Sequence, residues 1–289
     1  MTQDEKFQEE RPQITMSMIN TAIGCGIQFV RRYGARFDLW EREEIIPPGI
    51  ALITGISVHK AAELSYRRYI DTKGEEVPTV EEVQDYARDQ VNQSLSNQEL
   101  RLDEDEVTDI KQTFADAVDQ TVALAGCHRE RVVPTVKPIS VERPFVVTLK
   151  NTPFDLSGRI DMIDAGVNDG GVIVRDLKTA KSAPQSALTM QNACYAVGVK
   201  ICDGEYPESV ALDVLLKRKE PDYKMVCNPV TESTVVPFIR RVERFVELIE
   251  TAKTGHQVFL PANPDGPDGW RCTKKFCGYS TTCPFWSGK

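Results

Sequence analysis

The sequence predicts an α/β fold in which a mixed central sheet is flanked by helices. Before Val132 the apolar residues recur at helical spacing. After it, runs of branched residues alternate with turns, as strands do. A long amphipathic segment then follows at 234–253, and the three together suit a layered sheet-and-helix domain.

In chain order, residues 1–13 form a leader expected to be disordered, and 14–289 a single domain. Thr15 or Ser17 caps a helix running through Met18, Ile19 and Ile23 to Tyr33. Pro47-Pro48-Gly49 interrupts the chain, and 55–70 is a second helix. Segments 79–100 and 104–126 are helical and polar, and they are expected to lie outside the sheet as an insertion spanning 72–130. Strands are expected at 141–149, 154–163, 171–178 and 209–217, with a helix at 185–200 between the last two. The tail, 257–289, is rich in Pro, Gly and Cys and has no periodicity.

The chain has 289 residues, 41% apolar and 27% charged, enough to bury a sizeable core. No apolar stretch reaches the ~18 residues of a membrane span, and the acidic start lacks the features of a signal peptide, so a cytoplasmic location is expected. The net charge of −8 excludes a general basic coat for nucleic acid but not a local one. Basic residues gather among aromatics at Phe29, Arg31, Arg32, Tyr33 and Arg36, and again at Tyr66, Arg67, Arg68 and Tyr69. Such runs are either solvated helix faces or a groove edge.

The chemistry concentrates in one hairpin. Gly158-Arg159-Ile160-Asp161 leads through Asn168-Asp169-Gly170-Gly171 to Asp176-Leu177-Lys178, and the turn residues are strong hairpin formers. Asp176 and Lys178, two apart, share a face. A two- or four-residue loop puts Asp161 on that face too; a three- or five-residue loop sends it to the other. Two carboxylates on one face repel, and burial makes charging both costly. A divalent cation such as magnesium or manganese resolves the conflict. The alternative is a surface hairpin with an Asp–Lys ion pair.

Gln191 and Tyr195 lie four apart on the following helix, and Gly55-x-x-x-His59 sits on an early one, with Glu63 as a helix-surface residue. His128 and His256 are expected to be packed or solvated. Gly-x-x-x-His, Gly-x-x-Asp, Asp-x-Lys and Gln-x-x-x-Tyr, in this order, resemble the motifs of the RecB-like branch of the PD-(D/E)XK nucleases, found in RecB, AddB, CRISPR-associated and phage enzymes. The resemblance covers residues 14–289. It implies a restriction-endonuclease-like fold with a core at 132–255. It makes His59, Asp161, Asp176 and the backbone carbonyl of Leu177 metal ligands and Lys178 the catalytic lysine, with Gln191 and Tyr195 positioning the site.

Eight cysteines is a high number for such a chain. Cys127, Cys194, Cys202 and Cys227 are expected to be small buried thiols. Cys25 with Cys272-x4-Cys277-x5-Cys283 resembles the iron–sulfur subset of the same family, which implies a 4Fe–4S cluster closing the tail on Cys25; the family's commoner spacing between the first two late cysteines is two. A structural zinc site is the alternative, although the paired Cys-x-x-Cys knuckles of zinc ribbons are absent.

The resemblance implies a metal-dependent deoxyribonuclease acting as an exonuclease on single-stranded or frayed DNA in recombination, repair or degradation. Arg31, Arg32, Arg67 and Arg68 would edge the groove, with Tyr33 available for stacking. A spacer-processing endonuclease within a complex and a non-catalytic DNA-binding scaffold are the alternatives. The chain lacks a phosphate-binding loop, so any unwinding falls to a helicase or recombination partner.

Overall fold

A computed structural model of the chain describes residues 11–166, 170–266, 269–274 and 276–286. The chain enters as a short strand, β1 (Gln13–Thr15), and turns directly into helix α1 (Met16–Gly24), where the Thr15 hydroxyl accepts from the Met18 N–H. Helix α2 (Gly26–Tyr33) follows. The single helix expected through Tyr33 is therefore broken at Cys25, whose backbone is extended. Glycine on both sides weakens the helix there, and the Gly26 N–H donates to the Leu260 carbonyl at 2.7 Å. A Cβ on Gly26 would come within 2.7 Å of that carbonyl oxygen, so only glycine lets the tail approach.

Residues 11–13 do not belong to a leader. The Arg11 guanidinium pairs with Asp155 at 2.8 Å and donates to the carbonyls of Leu149, Thr152 and Phe154.

Helix α3 (Ile50–Asp71) starts earlier than its periodicity predicts. Helices α4 (Val80–Ser96), α5 (Glu104–Thr108) and α6 (Ile110–Arg131) follow, and capping boxes at Thr79/Glu82 and Asp103/Glu106 set the starts of α4 and α5. Asp109 accepts from the Gln112 N–H and so splits the expected 104–126 helix in two. Alanines and valines of α3, α4 and α6 (Ala61, Val83, Ala87, Ala125) make a small core of their own.

Strands β2 (Pro138–Thr148), β3 (Asp155–Ala165) and β4 (Val172–Ala180) precede helix α7 (Met190–Asp203). Helix α7 is capped by Thr189, so the stretch expected to open it at 185 is non-helical. Strands β5 (Ser209–Leu216) and β6 (Asp222–Pro229) and helix α8 (Glu232–Lys253) complete the layers. Strand β6 escapes prediction because its Asp-Tyr-Lys-Met-Val-Cys-Asn-Pro is a polar, largely exposed edge strand.

The sheet runs β1-β3-β4-β5-β6, with β2 also on β3. Pairing is parallel for β1/β3 and β4/β5 and antiparallel elsewhere. The main core, with Phe29, Phe154, Val174, Val210 and Phe238, joins the sheet to α1, α2, α7 and α8. A second core, with Val58, Leu124, Met162, Leu177 and Leu215, joins it to α3 and α6. Each such buried side chain contributes roughly 1.5–3 kcal/mol. Among the described residues no helix is long and apolar enough to cross a membrane.

Candidate active site

Strand β3 has three partners and only two edges. Strand β2 runs along one edge, while β1 takes Asp155–Ser157 and β4 takes Met162–Ala165 on the other. Between them, 158–161 faces neither strand, and the sheet opens there. The β3/β4 ladder pairs Met162 with Arg175 and Ile163 with Val174, which carries Asp161 to the position opposite Asp176. Asn168 and Asp169 of the turn lie outside the described residues. At the opening the Leu177 N–H donates to Asp161 Oδ2 at 3.1 Å, so β4 binds the side chain of β3 where its backbone ladder has ended.

A third acid joins from the other side. Val141 pairs with Met162 and Arg143 with Ile160, so Glu142 falls opposite Asp161. Glu142, Asp161 and Asp176 thus form a row across three neighbouring strands. Glu142 holds a left-handed backbone (φ 49°), which a non-glycine residue adopts only at a cost. Helix α3 brings His59 over the row, with its Nδ1 3.3 Å from Asp161 Oδ2. Ligand atoms of His59, Glu142 and Asp161 all lie within 4.8 Å of one another.

Helix α7 closes the other side. Lys178 Nζ donates to Asp176 Oδ1 at 2.9 Å and to Gln191 Oε1 at 3.1 Å, and Gln191 Nε2 donates to the Tyr195 hydroxyl at 2.6 Å. Asp176 is 0% exposed, and its Oδ2 is buried without a hydrogen-bond partner. An orphaned carboxylate oxygen costs about 1–3 kcal/mol or more unless something fills it. Burial raises the Asp176 carboxyl to about 7 and that of Asp161 to about 6, with Lys178 opposing both shifts. Glu142 is raised by burial and by Glu63. Burial, then Lys178, lowers His59, which keeps its imidazole neutral and able to ligate. Burial raises Tyr195, which stays a phenol.

The donor set suits a divalent cation: Glu142, Asp161 and the neutral imidazole of His59 line a cavity of about 560 Å³ together with Glu63, Arg159 and Lys178, and the Asp176 carboxylate, with its unfilled oxygen, is buried next to Asp161. Glu142 was absent from the sequence reading, and Glu63, read there as surface, lines this cavity. Only the β2/β3 register would have exposed Glu142.

A family model described as the PD-(D/E)XK nuclease superfamily matches residues 13–284. The chain belongs to the PD-(D/E)XK nuclease superfamily. Members of this superfamily use divalent metals and hydrolyse nucleic acid, which fits the acid row. No curated protein matches the chain. Among solved structures it is similar to a protein of Eubacterium rectale described as "Putative exonuclease", at 17% identity and a TM-score of 0.49, over 88% of this chain and 87% of that one.

The other expected site residues are scattered. Arg31 pairs with Glu44 at 2.7 Å, bonds Thr282 and stacks over Tyr279, so it binds the tail. Arg32 lies over Tyr33. Tyr33 is buried in the main core, so the base stacking expected of it has no exposed ring face. Arg67 pairs with Glu63, and Arg68 pairs with Glu82 of the helical layer.

Cys25, Cys272, Cys277 and Cys283 gather at the tail: burial and the neighbouring thiols raise Cys272 and Cys277. The Ala262 N–H donates to Cys25 Sγ at 3.4 Å. Of the other four, Cys127 and Cys194 are buried, whereas Cys202 and Cys227 are exposed, contrary to expectation: the first sits in the last turn of α7 and the second on the edge strand β6. His128 is packed, bonding the Tyr66 hydroxyl at 2.7 Å, and His256 is exposed.

Proposed function

We propose that this chain is a metal-dependent deoxyribonuclease of the RecB-like, iron–sulfur subset, acting as an exonuclease on single-stranded or frayed ends. The observation that supports it best is the Glu142–Asp161–Asp176 row beside Lys178, with Asp176 Oδ2 left unfilled. A divalent cation held by His59, Glu142, Asp161 and Asp176, with the Leu177 carbonyl, supplies Lewis-acid polarisation of a phosphodiester. Lys178 is half-exposed to the same cavity and is aimed by Asp176 and Gln191; its ammonium neutralises charge growing on the phosphoryl oxygens. Tyr195, held by Gln191, keeps that amide turned so that its oxygen faces Lys178. His59 orients Asp161 from above and, being neutral, adds no competing positive charge.

Cys25, Cys272, Cys277 and Cys283 are the residues that would hold the cluster, and the Ala262 N–H on Cys25 Sγ is the kind of donor that stabilises a ligating sulfur. Bridging Cys25 to the tail closes a loop of about 250 residues, which restrains the unfolded chain. We assign the cluster a structural role.

The test is cleavage of labelled linear and circular single-stranded DNA with magnesium or manganese. Linear strands degrade and circles survive. Equal cutting of both makes the protein an endonuclease, and no cutting of either sinks the enzyme reading. Anaerobic purification should give a brown protein with a broad visible absorbance that four Cys→Ala changes abolish; a colourless protein containing zinc would replace the cluster.

A further inference from the structure

The active-site cavity does not end at the acid row. Arg159 lines it and also lines a second hollow of about 520 Å³, whose walls include Gln13, Ser17, Asn20, Gln191 and Tyr195. Asn20 in turn lines a third hollow of about 260 Å³, walled by Thr21, Gly24, Trp270, Arg271 and Phe276. The second and third hollows meet along α1. Ser17, Asn20, Thr21 and Gly24 follow the i, i+3, i+4, i+7 spacing of one helix face, while Met18 and Ile19 turn to the core on the opposite side. That face is small and uncharged, a floor about 10 Å long.

The lining has an unusual charge. The chain carries 43 Asp and Glu residues against 35 Lys and Arg. Neither the second nor the third hollow contains an acid, and each contains one arginine, Arg159 in the second and Arg271 in the third. At the far end two aromatics stand out from the tail: Trp270 is 49% and Phe276 48% exposed. Their rings meet edge to face at 4.9 Å, and the Arg271 guanidinium lies 4.8 Å over Trp270. Exposed aromatic faces braced by arginine are what successive nucleobases stack on.

We propose that a single strand of DNA runs from the acid row past Arg159, along the Ser17–Asn20–Thr21–Gly24 face of α1, to a base-stacking platform made by Trp270 and Phe276. The inference rests on the nuclease reading and adds to it the path of the strand and a role for the tail: the cysteine-rich segment displays the platform. Arg159 holds a phosphate next to the cleavage site, and the acid-free floor lets the polyanion pass. The basic residues of α2 and α3 are bypassed: Arg31, Arg67 and Arg68 are held by Glu44, Glu63 and Glu82 and line neither the second nor the third hollow. Arg159, 3.7 Å from Glu142, lines both the active-site cavity and the second hollow.

The experiment is binding of labelled oligo(dT) of about 4 and about 16 nucleotides to the full chain without divalent ions, read by fluorescence anisotropy. The native protein should bind the longer strand more tightly, and Trp270→Ala or Phe276→Ala should shrink that advantage about tenfold. Asn20→Trp blocks the junction of the two hollows from a different element, leaves the tail intact, and should shrink it similarly. A length advantage unchanged in all three variants overturns the path while leaving the enzyme intact. If the native protein neither binds these strands nor cuts DNA with magnesium or manganese, the nuclease reading fails and the path falls with it.

Discussion

Two acidic clusters meet on strands β3 and β4 only a few residues apart, and the fold treats them oppositely. On the α6 side, Asp164 and Asp213 close around Arg175, which bonds both Asp213 oxygens at 2.7 and 2.8 Å and Asp164 at 3.1 Å, while the Tyr223 hydroxyl donates to Asp213. That cluster is internally complete. On the other side, Asp176 has the half-exposed Lys178, Glu142 has only the exposed Arg159 at 3.7 Å, and an oxygen of Asp176 has no hydrogen-bond partner. A guanidinium buried among its carboxylates makes the first cluster structural; the second has its cations only at the exposed rim, which leaves a place for a cation from solution.

Replacing each cluster's key residue should therefore separate stability from activity. Arg175→Leu strands two buried carboxylates and should destabilise the fold by roughly 3–5 kcal/mol, read as a lowered urea midpoint; a stable variant would mean that the cluster is not the support it looks like. Asp176→Asn should lower DNA cleavage by about 10²–10³-fold with no loss of stability, and full activity would remove the site.

The third prediction concerns pH. The folded carboxyls at about 6 and about 7 lie above their ordinary value of 3.8, so the metal-free fold holds protons that the unfolded chain releases. Its stability should therefore fall as pH rises from about 4 through about 7. Magnesium or manganese at about 100 times its Kd at pH 7.5 should restore about 2.7 kcal/mol there, and the same concentration should restore less at pH 5.5, where the carboxyls hold their protons. A melting temperature with no metal response at either pH would break the contrast with the Arg175 cluster. Smallest of all, Glu142→Gln should weaken metal binding by about 10–100-fold, seen by calorimetry, and leave the melting temperature of the metal-free chain unchanged or slightly raised.

The sequence made one cluster legible and hid the other members. Asp176 and Lys178 are two apart, and a tight hairpin ties Asp161 to them, so local rules suffice. Glu142 comes from a strand whose register depends on an irregular stretch near Ser140 and on a left-handed backbone, neither visible in residue types. Arg175 and Asp213 are 38 positions apart and meet only through parallel pairing of β4 and β5. Tyr33 looked like a surface aromatic because arginines flank it, yet helix geometry turns its ring to Phe29 and the core. Strand β6 and the break at Cys25 were hidden for a similar reason: an edge strand needs little apolar signal, and the break depends on a tail more than 230 residues away.

That break also bears on how the two ends of the chain come apart. Gly26 grips Leu260 by main-chain contact, with no sulfur involved. Stripping whatever the four thiols hold would thus loosen the outer part of the tail while 259–262 stayed moored to the first helices. A bulkier residue at position 26 would cast off that mooring even with every cysteine in place.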